Sequence, residues 1–106
     1  TWIGPGAIII CSSEISIGAN CDIAPYVYIG DGTHIITPEK ERIAGIVTTE
    51  KITIGDGCWL CVNSIILPGV KIGNKCVVAA GAVVTHSCDD RELLAGVPAK
   101  MIKELR

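Results

Sequence analysis

Aliphatic residues recur at every sixth position over most of the chain, and a glycine or another small residue often follows them. One run starts at Ile17 and continues through Ile23 and Ile29, and a second extends from Ile54 to Val84. The residue four positions after each aliphatic start is small or slim. Both residues would face the same side of an extended segment, because side chains alternate along a strand. The pattern therefore predicts short strands that direct their aliphatic and slim residues inward.

A period of six fits neither an α-helix nor a simple alternating strand. Glycine-rich pairs between the aliphatic starts supply turns, because glycine accepts backbone angles that other residues resist. A short strand and a turn in every six residues wind into a solenoid, and three such units per coil make a triangular prism. With coils about 4.8 Å apart, the chain holds roughly four to five of them. In the first coil the register slips between Ile15 and Ile17, which indicates a small bulge or corner insertion.

One long segment interrupts the repeat. The sequence YIGDGTHIITPEKERIAGIVTTEKITIGDGCWL contains Ile-Gly-Asp-Gly near each end, and a polar, charged stretch separates the two copies. A solenoid tolerates an insertion at a corner because the coils on either side still stack. We expect residues 35–51 to leave the prism as a loop, with His34 at its base and its side chain pointing outward. Loops anchored on rigid elements are common places for binding and catalytic sites.

Composition and charge narrow the possible classes. The chain has 106 residues with no Phe, two Trp and two Tyr, so Ile, Val and Gly are expected to form thin, regular layers rather than one aromatic core. The net charge of −2 argues against a nucleic-acid surface. No apolar run is long enough to span a bilayer. The charges cluster in two places, which divides the chain into a repetitive body at 1–88 with its loop at 35–51, and a charged tail at 89–106.

The cysteines are expected to be structural thiols. Cys21, Cys58, Cys76 and Cys88 all stand four residues after an aliphatic start, where Cys acts as a small buried hydrophobe. Cys58 and Cys61 form a C-x-x-C motif, but no second pair of that kind follows, so a metal or redox site is disfavoured. Reduced thiols are typical of the cytoplasm, and we expect a cytoplasmic protein.

Three segments carry a resemblance to a known family: IGDGCWL, ILPGVKIGNKCVVAAGAVVT and AGVPAKMIKEL. Together with the hexad pattern and the Gly-Thr-His before the insertion, they resemble the hexapeptide-repeat acyltransferases, which include sugar, maltose and serine acetyltransferases and enzymes that modify polysaccharides. The resemblance covers nearly the whole chain. It implies a left-handed winding, although crossovers between parallel strands are usually right-handed. It also implies a homotrimer with active sites in the clefts between neighbouring prisms.

The expected fold class is therefore all-β: a left-handed parallel β-helix of hexapeptide repeats with one loop insertion and a short helical tail at the C-terminus. In the tail, Pro98 is expected to fix a turn. After it, Met101, Ile102 and Leu105 form an apolar edge that would close the open end of the prism.

Acyl transfer from a thioester to a hydroxyl needs a base, because an alcohol is a poor nucleophile at neutral pH. A histidine can take the hydroxyl proton, and a fixed donor, often a backbone N–H, stabilises the oxyanion. The resemblance assigns the general-base role to His34, with acetyl-CoA as acyl donor and no metal. The alternative is a loop histidine that only caps the turn. Ile35 stands where some relatives have a Glu, so Glu39, Glu41 or a backbone carbonyl is left to orient the ring.

The resemblance also implies residues that contact the coenzyme and the acceptor. Val62 and Ala80 match positions whose backbone contacts the pantetheine arm, and the alternative for them is tight coil packing. Trp59 is expected to point outward, either into the acceptor or pantetheine cleft or into a trimer contact. Glu39 and Arg42 in the insertion are candidate acceptor contacts, unless that loop is simply solvated.

The phosphates of the coenzyme need cations and donors. Thr85 and His86 stand where relatives often have Thr-Lys, so His86 would supply a weaker charge than Lys. Lys100 and Lys103 match basic residues in the tail of the family that meet the nucleotide end of the coenzyme. The alternative for each Lys is ordinary solubility.

The function that these features favour is transfer of an acetyl group from acetyl-CoA to a hydroxyl of a sugar or polysaccharide precursor. Two alternatives stay open: a non-catalytic β-helix scaffold, and an N-acetyltransferase that acts on an amino sugar. A γ-class carbonic anhydrase uses the same prism with three histidines on zinc. Only His34 and His86 are present here, so we expect no metal.

Overall fold

The computed structural model describes all residues from 1 to 106 and contains fifteen short strands without a helix, in a molecule of 49 × 25 × 20 Å. None of its elements is a helix long and apolar enough to cross a membrane. The strands are β1 Trp2–Ile3, β2 Ile8–Ile10, β3 Ile15–Ile17, β4 Asp22–Ile23, β5 Tyr28–Gly30, β6 Gly32–Ile36, β7 Ala44–Thr49, β8 Ile52–Ile54, β9 Trp59–Leu60, β10 Ile65–Ile66, β11 Lys71–Ile72, β12 Val77–Val78, β13 Val83–Val84, β14 Glu92–Gly96 and β15 Ala99–Glu104.

Three parallel sheets form the walls of a prism. The first face stacks β1, β4, β9, β12 and β14, the second stacks β2, β5, β10 and β13, and the third stacks β3, β8 and β11. Strands that follow one another along the body lie on different faces, and hydrogen-bonded neighbours come from successive coils. The expected all-β solenoid with three strands per coil is therefore confirmed.

The core consists of rows of aliphatic side chains, in which each coil places one residue directly over the corresponding residue of the coil before it. On the first face Ile23, Leu60 and Val78 are in register and fully buried, and Leu94 continues the row at 4% exposure. The slim residues complete this core from the corners, as their position in the hexad predicts. The buried members of the hydrophobic cluster are Cys21, Ile23, Val27, Ile29, Ile52, Ile54, Cys58, Leu60, Ile66, Val70, Ile72, Cys76, Val78, Ala82, Val84 and Leu94.

Three buried thiols, stacked at the corner between the third and first faces, form hydrogen bonds between successive coils. The Sγ atoms of Cys21, Cys58 and Cys76 donate to backbone carbonyls at 3.1, 3.0 and 3.0 Å, each on the following coil. Burial raises the pKa of the Cys58 thiol to about 11, so the thiol stays protonated and able to donate. Cys88 differs, because it bridges to Ile72 and so takes the place of a strand residue. All six cysteines are free thiols.

Every departure from the six-residue step occurs at one corner, which lies between the second and third faces. We call it the insertion corner, and it comprises residues 11–14, 31–51, 67–70 and 85–88. From one inward residue to the next across this corner the chain advances eight residues from Ile9 to Ile17, but only four from Val84 to Cys88. At the other two corners the step between the paired inward residues is six throughout.

The long insertion folds as an antiparallel hairpin rather than an irregular loop. Strands β6 and β7 pair with His34 opposite Val47 and Thr33 opposite Thr48, and the register shifts before Ile36. Near the tip, the Thr37 N–H donates to the Ile43 carbonyl at 2.7 Å. The hairpin thus gives residues of the insertion a defined orientation.

The expected helical tail is wrong, because the tail is a second antiparallel hairpin. Strand β14 continues the first face in parallel with β12, and β15 returns along it. The turn between them includes Gly96, whose φ of +100° favours glycine, and Pro98. A strand that ends a sheet exposes unpaired N–H and C=O groups, and β15 satisfies those of β14. Met101 is 53% exposed and Ile102 is 60% exposed, so neither side chain is buried against the end of the prism.

Candidate active site at the insertion corner

His34 lies on β6, where the hairpin leaves the prism, and its side chain is exposed as the hexad position predicts. Its Nδ1 atom lies 2.7 Å from the carbonyl oxygen of Gly45 on the opposite strand. A carbonyl oxygen only accepts hydrogen bonds, so Nδ1 carries the proton and Nε2 keeps its lone pair. Of the partners that the sequence left open, the structure selects a backbone carbonyl over Glu39 and Glu41.

A small crevice of about 180 Å³ opens beside this ring. It forms where the first two coils meet the hairpin at the insertion corner. Apolar residues of a prism strand and of the hairpin contribute to its wall, and hydroxyl-bearing residues line the rest. The lining residues are Ile10, Ser12, Tyr28, Gly32, Thr33, His34 and Val47.

Asp31 fixes the first-coil side of this crevice, and the sequence reasoning missed it. Its buried carboxylate accepts the backbone N–H groups of Ser12, Ser13 and Glu14 at 2.8, 2.8 and 2.9 Å. The N–H of Ser12, helped by its two neighbours, lowers the pKa of this carboxyl from 3.8 against the opposing effect of burial. The carboxylate therefore accepts the backbone N–H groups of the turn by which the first coil crosses the insertion corner in a step of eight residues.

The repeat itself held a signal for Asp31. The second Ile-Gly-Asp-Gly carries Asp56, whose Oδ1 atom accepts the N–H of Ala19 from the preceding coil at 2.9 Å. An aspartate after Ile-Gly thus binds amides of the coil below in both copies. The shared motif could have assigned both residues to this role.

A second crevice of about 310 Å³ continues from the first along the same corner. The two crevices share Tyr28, Gly32 and Thr33, so together they form one groove. The groove extends past Pro68 on the next coil and reaches Thr85. We call this feature the corner groove.

Three of the expected coenzyme contacts lie towards the far end of the insertion corner. Thr85 lines the corner groove, and its Oγ1 atom is 2.9 Å from Nδ1 of His86. His86 and Lys100 line a further crevice of about 330 Å³. Glu92 lines the same crevice and offsets part of the positive charge.

Four other expected coenzyme contacts lie elsewhere in the chain. Val62 and Ala80 are exposed on adjacent coils at the corner between the first and second faces, where the Gly81 N–H donates to the Val62 carbonyl at 3.0 Å. Trp59 is 53% exposed on the first face, and Lys103 lies further along the same row of that face. A single chain therefore does not bring these residues to the crevice that contains His34.

Of the two expected acceptor contacts in the insertion, only Arg42 lines a crevice, and that crevice does not contain His34. A crevice of about 690 Å³ near the hairpin tip is lined by Arg42, together with Ile35 and Ile46, but not by Glu39. His34 and Val47 line the 180 Å³ crevice instead. Because side chains alternate along a strand, the two crevices lie on opposite faces of the hairpin.

The fold contains no group of side chains that could serve as ligands of a metal ion. No group of three or more His, Cys, Asp or Glu side chains lies close enough together to hold an ion. The two histidines lie on different coils of the insertion corner, and each Nδ1 atom is engaged with an oxygen of the chain.

Comparison with known proteins finds relatives that share the repeat. Residues 51–86 match the hexapeptide repeat of succinyl-transferase. A putative acetyltransferase of Dictyostelium discoideum is 46% identical over 100 residues, which cover 94% of this chain and 52% of that protein. The galactoside O-acetyltransferase of Escherichia coli is 34% identical over 97 residues, which cover 92% of this chain and 47% of that protein.

A solved structure agrees with these relatives. The hexapeptide-repeat acetyltransferase of Vibrio cholerae, complexed with acetyl coenzyme A, matches with a TM-score of 0.91 and 28% identity over 98% of this chain and 56% of that chain. The chain thus spans about half the length of the relatives that it matches. It is a hexapeptide-repeat protein, and the family that it resembles along nearly its whole length is that of the hexapeptide-repeat acyltransferases.

Proposed function

We propose that the protein transfers an acetyl group from acetyl-CoA to a hydroxyl of a sugar or polysaccharide precursor, with His34 as the general base. The observation that carries the proposal is the contact of 2.7 Å between Nδ1 of His34 and the Gly45 carbonyl. It leaves Nε2 as a hydrogen-bond acceptor on an exposed ring beside a crevice. A histidine that only capped the turn would make the same contact, so the crevice beside the free Nε2 atom favours the base and turnover by a His34 variant decides between the two.

In the proposed reaction His34 removes a proton from the acceptor hydroxyl and later gives that proton to the leaving thiolate. Its Nε2 atom accepts the proton of the acceptor hydroxyl as the oxygen attacks the thioester carbonyl. The Gly45 carbonyl stabilises the imidazolium that results, because Nδ1–H continues to donate to it. When the carbon–sulfur bond breaks, Nε2 returns the proton to the departing thiolate. No metal and no covalent intermediate with the protein is needed in this sequence.

The residues at the insertion corner fit an extended acyl donor such as acetyl-CoA. The corner groove begins at the His34 crevice and reaches Thr85, and His86 and Lys100 lie beyond it. A thioester at the His34 end would leave the phosphates near these donors. When bound, acetyl-CoA supplies the acetyl group, and the chain supplies the base and the positioning contacts.

The distribution of the remaining residues supports a homotrimer with sites between subunits. Trp59, Val62 and Ala80 lie on the first face and its corner, away from the insertion corner of the same chain. A neighbouring copy can present these residues to the groove, because its first face is free to approach from outside. Native mass spectrometry tests this arrangement, and a monomer that retained full activity would contradict it.

The acceptor class rests on relatives and on the hairpin. The Escherichia coli relative is named a galactoside O-acetyltransferase. Arg42 lies on the other face of the hairpin from His34, so its contact with an acceptor requires one that extends around the strand pair. Glu39 is exposed near the tip and would contribute only to such an extended acceptor. The free thiols fit a cytoplasmic location.

The test is acetyl transfer from acetyl-CoA to a panel of sugars, amino sugars and oligosaccharides, with products identified by mass spectrometry. Thiol-reactive dyes are unsuitable because Cys11 is exposed. We expect His34→Ala to reduce kcat by about 10²- to 10⁴-fold. Thr48→Ala, on the same hairpin, serves as the matched control and should retain activity.

Three other outcomes would each contradict a part of the proposal. Turnover that is equal in the wild-type protein and His34→Ala would overturn the role of His34. Absence of both turnover and acetyl-CoA binding would favour a scaffold. A product acetylated on nitrogen, from amino sugars alone, would replace O-acetylation by N-acetylation.

A further inference from the structure

Three hydroxyl groups around the His34 crevice have no hydrogen-bond partner within the chain. They belong to Ser12, Tyr28 and Thr33, which all line that crevice. Elsewhere at this corner and hairpin the hydroxyls of Thr37, Thr85 and Ser87 are engaged. Those of Ser13, Thr48 and Thr49 have no partner within the chain either, but these residues do not line the crevice. Unpaired polar atoms beside a candidate base are suited to bind a polar ligand.

The orientation of Tyr28 is set by the glycine two residues after it. A side chain at Gly30 would overlap the Tyr28 hydroxyl and ring, so the ring lies flat along the second face above Gly30. Along the strand, that direction leads to the insertion corner. Tyr28 accordingly lines both crevices of the corner groove. Tyr28 thus offers a flat apolar surface together with a donor at its end.

The position of Ser12 is set by Asp31. The buried carboxylate binds the N–H of Ser12 at 2.8 Å and those of the next two residues, which fixes the turn that carries the Ser12 side chain. Gly32 faces this hydroxyl, because a Cβ at Gly32 would lie 3.7 Å from the Ser12 Oγ atom. Ser12 and His34 therefore approach the same space from different coils.

We propose that Ser12 and Tyr28 bind the acceptor, which is a polyhydroxylated ring whose neighbouring hydroxyls they hold while His34 receives the proton of the reacting one. This inference rests on the proposed acetyl transfer. The apolar side chains of Ile10 and Val47 complete the crevice and fit the carbon–hydrogen face of such a ring. Because the crevice measures only about 180 Å³, it accommodates a single ring and leaves the rest of a longer acceptor outside.

The test compares Tyr28→Phe, Ser12→Ala and Ser16→Ala in the full chain. Each of the first two removes one hydroxyl from the crevice, and Ser16→Ala is the matched control on the third face. We expect the acceptor KM to rise about five- to tenfold in each crevice variant, the cost of one hydrogen bond. The KM of acetyl-CoA should stay unchanged in Ser12→Ala, because Ser12 lines only the His34 end of the corner groove. The thermal midpoint of both crevice variants and all parameters of Ser16→Ala should also stay unchanged.

Deoxy acceptors sharpen the comparison. An acceptor that lacks the hydroxyl bound by Tyr28 should react equally well with the wild-type protein and Tyr28→Phe, because the contact is absent in both. If both crevice variants keep the wild-type acceptor KM while His34→Ala is inactive, the inference fails and the proposed function stands. If the wild-type protein transfers no acetyl group to any acceptor, the proposed function fails. Should the thermal midpoint of Tyr28→Phe fall, Ser12→Ala alone decides.

Discussion

The carbonyl oxygen of Gly45 lies 2.7 Å from Nδ1 of His34, across the hairpin from the strand that carries the ring. The orientation of the proposed base thus depends on the spacing of two strands that lie outside the prism. A Cβ at Gly45 would lie 2.8 Å from both the Ile35 carbonyl oxygen and Cγ2 of Thr37. Any side chain there must separate the strands.

We therefore expect Gly45→Ala to lower kcat by roughly ten- to hundredfold, because the carbonyl that orients the ring is displaced. The KM of acetyl-CoA should change little, since Leu67, Pro68 and Thr85, which line the corner groove beyond the His34 crevice, lie on the prism. Nitrogen chemical shifts of the imidazole report the tautomer directly and should show a loss of the Nδ1–H form. Thr48→Ala is the control on the same hairpin. Unchanged kcat in Gly45→Ala would show that the carbonyl does not matter for turnover.

Asp31→Asn should destabilise the fold at neutral pH, because an amide replaces a carboxylate that accepts three backbone N–H groups. The pKa of Asp31 is lowered by these donors, so the unfolded chain takes up the proton first as the pH falls. The stability that this group contributes is present at neutral pH and is lost as the pH falls below 3.8 towards the folded-state value.

Thermal midpoints between pH 7 and pH 2 measure this effect. The difference between the wild-type protein and Asp31→Asn should be largest at pH 7 and should shrink in acid. Asp22→Asn is the control, because Asp22 is exposed on the first face. A constant difference at all pH values would mean that the charge of Asp31 plays no part.

Cys58→Ala should cost about 1 to 2 kcal/mol at pH 7, because it removes a buried sulfur and its hydrogen bond to the Gly73 carbonyl. Burial raises the pKa of this thiol from 9.0 to about 11, so the unfolded chain loses the proton first as the pH rises. The stability from the protonated thiol is complete below pH 9 and declines up to about pH 11. In urea unfolding, the difference in unfolding free energy between the wild-type protein and Cys58→Ala should therefore become smaller over that pH interval. Cys11→Ala, which removes an exposed thiol, is the control and should cost little stability at pH 7.

Ser64→Ala should leave stability unchanged or raise it by about 1 kcal/mol, because the buried Ser64 hydroxyl has no hydrogen-bond partner. The next coil already has Ala82 at the equivalent position, so the smaller side chain fits the core. Urea unfolding of Ser64→Ala and of the exposed Ser16→Ala checks the difference. A loss of more than 1 kcal/mol, on the scale of a made hydrogen bond, would contradict the absence of a partner for Ser64.

Lys100→Gln should raise the KM of acetyl-CoA roughly tenfold, because Lys100 lines the crevice with His86 at the far end of the insertion corner. Its kcat should not change, since the residue is remote from His34. Lys75→Gln, at a different corner, is the control. Equal KM values for the two variants would remove Lys100 from the coenzyme site.

The prism could be predicted from the sequence because its period is local. Within each hexad the position of a residue determines whether it faces inward. Stacking places equivalent positions of successive coils in one row, as Ile23, Leu60 and Val78 show. The tail was mispredicted because its structure depends on a partner rather than on a period. Strand β15 pairs with β14, which would otherwise end the first face with an open edge.

The site was predictable in part for the same reason. The outward direction of His34 follows from its place in the hexad, whereas its contact with Gly45 depends on the register of a hairpin that no repeat encodes. Val62 and Ala80 could not be placed relative to His34, because a linear pattern does not state which corner each hexad occupies. Tyr28 and Ser12 carry no motif and become neighbours only through the stacking of two coils.

Changes in chain length are confined to one vertical edge of the molecule. There the step between stacked residues ranges from four residues to twenty-five, while the other two edges keep the same step from end to end. In the proposed reaction, acceptor preference can therefore change by lengthening or shortening that edge without any compensating change among the stacked Ile and Val side chains. The stacked aliphatic rows that the fold requires are thus separate from the edge whose length can change.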